Sequence, residues 1–327
     1  MKKLYCVLPD DITFSLCGKS YINGFIRAGY FTEKEIITKL NKNRVIKFSP
    51  DYVLFFDFEE QNKKLIKSVY EKNKNTVFIF YLTSYADSEK SKFIKSLSKA
   101  KFRYLILSAD RDNLKLSDKI IYLPLGISAK KYKTEISGYK NVISIFSNPE
   151  NPKFADLFKK INPYFKNINF YCDEIEYINS LESQWFCNLD KETQNRYKDI
   201  YKGSVLTEKE KAKIFSESYI NVILTDKIRN GVDFTILEAM ASAGIVFCEP
   251  LSEIKRLFDV GHEIETFENF DELIQKAEFY TKYPFVGQSL GLNARSAVIN
   301  NHSVYDKVKQ IMKIIDKNFN GEVTKND

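Results

Sequence analysis

The sequence predicts an α/β protein of two domains, each a parallel sheet covered by helices. Three observations carry this. Short apolar runs alternate with longer amphipathic stretches, the rhythm of strands joined by helical crossovers. The chain has 327 residues, more than one such unit needs and enough for two. Near the middle, Pro124-Leu125-Gly126 and a polar stretch rich in Lys, Ser and Gly interrupt the rhythm. The boundary is placed there. Residues 1–130 form the first domain and residues 131–327 the second, and the last helix, 304–319, returns to the first.

In the first half, apolar runs place strands at 3–8, 52–56, 76–82, 103–108 and 120–123, with helices at 61–72 and 88–99 between them. In the second half, strands are expected at 142–147, 168–172, 219–224 and 245–248, with helices at 208–217, 235–243 and 271–281. The end of the chain, from Glu322, is expected to fray.

Composition narrows the class. Apolar residues make up 44% and charged residues 28%, which is the balance of a chain that buries a core. The five cysteines are odd in number and none forms a C-x-x-C pair, so free thiols in a reducing compartment are expected. No stretch resembles a secretory leader, and no apolar run approaches the roughly 18 residues of a membrane span. The chain therefore reads as cytoplasmic. Its net charge of +7 comes from Lys scattered along its length, which suits solvated faces. The same charge is compatible with acidic substrates and with peripheral attachment to the inner membrane. No RNP-like motif or clustered basic stripe supports nucleic-acid binding.

The most informative segment runs from Arg229 to Glu249, RNGVDFTILEAMASAGIVFCE. A strand leads into a polar loop with Gly231, a helix starts near Asp233 or Thr235 and stops at Gly244, and another strand follows. A helix N-terminus at the carboxyl end of a parallel strand suits anions, because its free N–H groups and positive dipole end face the crevice. Arg229, in the same loop, could add a bidentate phosphate contact or could be a solvated charge. Glu238, one turn inside the helix, is within reach of a ribose diol beyond the phosphates. Thr235 and Glu238 also have the T-x-x-E spacing of a capping box, as do Thr207 and Glu210.

Phe234, Glu238, Ala239, Ala241 and Gly244, with Ile245-Val246-Phe247 after them, resemble the nucleotide-binding signature of GT-B glycosyltransferases of the group 1 superfamily, specifically its CgeB-like branch. The resemblance takes in Tyr201–Val205, Glu208–Ser216 and Tyr219-Ile220-Asn221 upstream. Downstream it takes in Glu253–Phe258, Gly261-His262-Glu263, Phe270–Leu273, and Asn301-His302-Ser303-Val304 with Lys307. Leu123–Ile127 looks like the family's interdomain segment. The resemblance implies two Rossmann-like domains facing across a cleft, acceptor side first and nucleotide-sugar side second. It implies transfer of a sugar from a nucleotide-diphosphate sugar to a glycan or other acceptor, in surface-polysaccharide or glycoconjugate synthesis, with no cofactor and no metal. The family leans towards retention of configuration.

By the same resemblance Glu238 holds the donor ribose, and amides around Gly231, Asp233, Phe234 and Thr235 hold the diphosphate. Arg229 assists the leaving group and is placed with Glu238 in the catalytic set. Gly18, placed in the first βα loop, would allow close approach of the phosphates, or serve as an ordinary turn. Lys153, after the first strand of the second domain, would be a phosphate-binding cation or a surface lysine. Two departures stand out. Position 230, where many relatives carry a second Glu, is Asn230, and the closing element has Val304 for Tyr and Lys307 for Arg.

Two rival readings remain at this point. A non-catalytic GT-B-like module would bind a nucleotide or glycan only. A metal-dependent GT-A transferase would use Asp110 and Asp112, a D-x-D triplet after an apolar strand, on Mg²⁺ or Mn²⁺. With two histidines and no Cys/His cluster, zinc is not expected, and the absence of G-x-G-x-x-G weakens a dehydrogenase reading.

Overall fold

The computed structural model describes residues 1–10, 12–58, 62–132, 140–204, 207–225 and 230–320. The chain divides into two compact units. The first comprises Met1–Ser128, Ile228–Phe234 and His302–Asp327, and the second Ala129–Lys227 and Thr235–Asn301.

Among the described residues, the first unit holds six parallel strands: β1 (Lys3–Leu8), β2 (Phe31–Ile36), β3 (Tyr52–Phe56), β4 (Val77–Leu82), β5 (Arg103–Ser108) and β6 (Ile120–Tyr122). Their order is β2-β1-β3-β4-β5-β6. Register is set by pairs such as Leu4 with Tyr52 and Val53 with Phe78. The strands β3 and β4 are buried along their whole length, so they read as unbroken apolar runs. Tyr5, Val53, Phe55, Phe78, Phe80 and Ile106 form the centre of this core. β2 was not foreseen because its sequence, FTEKEI, is half charged. It is the edge strand, and its acids are used there: Glu33 and Glu35 pair with Arg44, and Glu35 accepts from the Tyr5 hydroxyl at 2.8 Å.

Two helices lie together in this unit, Ile12–Arg27 and Val304–Ile315, with Gly24 set against Val308. Gly18 belongs to the first of them. It was expected in the loop after β1, but it sits inside the helix and is buried, where a Cβ would overlap the Leu8 side chain. Close packing of helix on sheet, and not approach of a ligand, is what this glycine permits.

The second unit holds β7 (Lys140–Phe146), β8 (Ile168–Tyr171), β9 (Ser218–Ile223), β10 (Val246–Cys248) and β11 (Glu265–Thr266), all parallel, in the order β11-β10-β9-β7-β8. Chain order reverses between β7 and β9, because β8 lies to one side of β7 and β9 to β11 to the other. Such a reversal opens a crevice at the carboxyl ends of the two strands. Ile145, Phe154, Phe170, Tyr197, Val222 and Phe247 form the core.

The helix Pro284–Asn301 was not foreseen, because Pro284, Gly287 and Gly291 punctuate its pattern. The structure explains the glycines. A Cβ on Gly291 would overlap the Ala243 carbonyl, and one on Gly287 would crowd Ile245. The helix Phe234–Ala241 ends with Ala243 in the left-handed region at φ 58°, while the Gly244 amide returns to the Ala239 carbonyl. Gly244 is needed for space: its Cβ would stand 2.8 Å from the Phe215 carbonyl oxygen and from Asn221. None of the five cysteines is in a disulfide, and no helix among the described residues is long and apolar enough to cross a membrane.

Candidate functional site

Three groups gather where the chain order of the second sheet reverses. Lys153 follows β7 as the second residue of the helix Pro152–Ile161. Asn151 caps that helix, its side chain accepting from the Lys153 amide at 3.0 Å, and Pro152 supplies a preset first turn. Thr225 follows β9, and Glu249 follows β10. The Glu249 carboxylate reaches back across these strand ends. One oxygen ion-pairs with Lys153, and the other accepts from the Thr225 amide at 3.2 Å and its hydroxyl at 3.4 Å. The arrangement is a mostly buried acid carrying an exposed cation at the carboxyl ends of the strands where chain order reverses, the position at which open α/β sheets take ligands.

The helix Phe234–Ala241 opens one residue before Thr235, so the T-x-x-E spacing of Thr235 and Glu238 lies inside it and does not occupy the cap position. Glu238 is fully buried. One carboxylate oxygen accepts from the Tyr132 hydroxyl at 2.6 Å and the other from the Lys211 ammonium at 2.8 Å. Tyr132 is held in turn, its carbonyl accepting from Arg295 at 3.1 Å. Burial draws the Arg295 guanidinium below its ordinary value. Beside this cluster, Lys131 pairs with Glu208 at 2.6 Å. The second capping-box spacing does form its box, with reciprocal bonds between Thr207 and Glu210. Arg229 lies outside the described residues. Phe234 is buried, and Asp233 and Thr235 are partly exposed.

In the first unit, Gly231 is buried and forms an isolated antiparallel bridge with Asp110. The fully buried Asp110 carboxylate accepts from the Asp112 amide at 2.9 Å and from the Asn230 amide at 3.1 Å, while the Arg111 amide donates to the Asn230 carbonyl at 2.8 Å. Asp112 pairs with Lys115 at 2.8 Å. The two acids of the D-x-D triplet thus serve a turn and a surface pair. Among the described residues, no group of three His, Cys, Asp or Glu side chains is arranged to hold a metal.

Residues 167–313 match the family model of glycosyl transferase-like proteins. That stretch of the chain is glycosyl transferase-like. Solved structures agree over nearly its whole length. A glycosyltransferase from Rickettsia africae superposes with a TM-score of 0.68 at 12% identity, covering 97% of this chain and 98% of that one. HepE of Anabaena, crystallised with UDP-glucose, gives 0.71 at 11% identity, covering 97% and 100%. A sucrose-phosphate synthase from Thermosynechococcus elongatus gives 0.70 at 8% identity, covering 98% and 100%. The fold is GT-B, and the alternative GT-A architecture is set aside on the strand order of the two sheets. No curated protein sequence matches the chain.

Three residues of these clusters were not singled out by sequence reasoning. Lys211 had a readable signal. It precedes Phe215 by one helical turn, on the face of the helix Glu208–Glu217 that buries Ala212 and Phe215, and a lysine on an apolar stripe needs a buried acid. Glu249 had a weaker one, as a carboxylate directly after an apolar strand. Tyr132 had none, since its partner lies 106 residues away in sequence.

Proposed function

We propose that the protein moves a sugar from a nucleoside-diphosphate sugar to a glycan or other hydroxyl acceptor, without a metal ion and with retention of configuration, in surface-polysaccharide or glycoconjugate synthesis. The observation that carries the reading is the cation Lys153 at the strand-order reversal of the sheet that leads into the matched glycosyl transferase-like region. Lys153 and the first-turn amides of the helix Phe234–Ala241 hold the diphosphate, and Arg229 is assigned to the same group. As the glycosidic bond breaks, its electron pair goes to the diphosphate oxygen, and fixed positive charge there lowers the barrier. The acceptor hydroxyl bonds the anomeric carbon and passes its proton to the departing phosphate. Neighbours of the same fold support a uridine nucleotide as the first to test, since HepE was crystallised with UDP-glucose and TarM with UDP.

The family resemblance assigns the ribose diol to Glu238, but its carboxylate is fully buried with Tyr132 on one oxygen and Lys211 on the other, so a ribose hydroxyl reaches it only by displacing one of them. Calorimetric titration with UDP, GDP and ADP, followed by donor hydrolysis with the matching nucleotide sugars, tests the reading. Binding and turnover with one of the three are expected, and neither with any of them would reject it. Glu238→Ala should weaken that nucleotide by about 1–2 kcal/mol. An unchanged affinity in a folded variant removes Glu238 from the donor site and leaves it as a structural group. Arg229→Ala should lower turnover more than donor affinity, and native turnover in that variant removes Arg229 from the mechanism.

A further inference from the structure

We infer that Glu249 is the resident counter-ion of Lys153, and that the diphosphate of a nucleotide binds by taking the lysine over from it. The inference rests on the donor reading above for its ligand. It does not rest on that reading for its chemistry.

The two partners are unequal. The Lys153 side chain is 62% exposed, while that of Glu249 is 10% exposed. The lysine stands on the first turn of a capped helix and reaches its partner through a flexible stem. The carboxylate is tied from behind by the Thr225 amide and hydroxyl, both on the oxygen that does not face the lysine. When an anion enters, the lysine can turn to it and the acid stays. A diphosphate offers more charge and more acceptor oxygens than one carboxylate, so exchange is favourable. The carboxylate left behind keeps its charge beside the crevice and opposes the anion. Glu249 therefore lowers the affinity for nucleoside diphosphate, the leaving group of transfer, and favours its release. Without an anion it neutralises Lys153.

Glu249→Gln separates these effects, because the amide oxygen still accepts from Thr225 while the charge is gone. Calorimetry at low salt with UDP, inorganic pyrophosphate and uridine is the test. The variant should bind UDP and pyrophosphate more tightly by the same factor, about two- to fivefold, the reach of one partly exposed ion pair. Uridine, which has no phosphate, should bind the variant and the native protein alike. The gain should shrink at about 1 M salt, where screening reaches roughly 3 Å. Equal or weaker UDP binding by the variant overturns the inference, and so does a uridine affinity that moves with that of UDP. Pyrophosphate binding with the same gain, but no nucleotide binding, keeps the exchange and overturns the donor reading. Binding of neither by the native protein overturns both. Should Glu249→Gln fail to fold, Lys153→Met must weaken pyrophosphate binding and flatten its salt dependence, and an unchanged affinity overturns the inference.

Discussion

Lys211→Met isolates the buried pair that Glu238 of the helix Phe234–Ala241 makes with Lys211. Glu238 has no exposed side-chain surface and the Lys211 side chain is 9% exposed, with 2.8 Å between nitrogen and oxygen. Methionine fills the lysine stem but offers no charge and no donor, so one carboxylate oxygen loses its cation in a site closed to water. Breaking a buried pair in this way costs about 3–5 kcal/mol, because the remaining charge is uncompensated. The Tyr132 hydroxyl keeps its bond to the other oxygen and holds the loss below that of a bare charge. Tyr132→Phe, which removes that bond alone, should cost about 1–3 kcal/mol. Lys211→Met combined with Glu238→Gln leaves no unpaired charge and should recover part of the loss. The assay is urea unfolding followed by tryptophan fluorescence. Trp185 is the single tryptophan of the chain and packs against the core of the second unit, so it reports on that unit. A Lys211→Met protein within about 1 kcal/mol of the native one would refute the reasoning, because that is the range of an exposed pair. So would a double variant no more stable than the single one.

Three further outcomes follow from the packing and the site. Gly291→Ala forces the helix Pro284–Asn301 away from the Ala243 carbonyl and should destabilise the second unit by about 1–3 kcal/mol in the same fluorescence assay, although alanine is the better helix former; a gain in stability would contradict the packing argument. Gly18→Ala should cost about 1–3 kcal/mol through overlap with Leu8 and leave UDP affinity unchanged, and a tenfold loss of UDP affinity at native stability would return Gly18 to the donor site. Transfer should survive excess chelator, read as nucleoside diphosphate released; loss restored by Mn²⁺, with an inactive Asp112→Ala variant, would bring the D-x-D triplet back.

The central strands were legible because a parallel sheet covered on both faces is written as apolar runs, and β1, β3 and β5 fall where the runs stand. The helix Phe234–Ala241 was legible from its polar loop and the Gly244 stop. The edge strand β2 was not, because an edge has one partner and admits Glu33, Lys34 and Glu35. The helix Pro284–Asn301 was hidden by glycines that local rules count against a helix and that close packing demands.

The site divides in the same way. Apolar periodicity, turn residues and the Phe234–Gly244 pattern are local in sequence, so the chain by itself determined two parallel-sheet units and a family signature on a helix after β9. Which charges meet is not local. Lys153 and Glu249 lie 96 residues apart, Lys211 and Glu238 lie 27 apart, and Asp110 and Asn230 lie 120 apart. Tertiary structure alone decided that Asp110 holds the Asn230 amide, that Lys211 and Tyr132 hold Glu238, and that Glu249 stands beside Lys153. The physical reason is burial. A polar group taken out of water must find its partner wherever strand order places one, and strand order belongs to the fold and not to any stretch of the sequence.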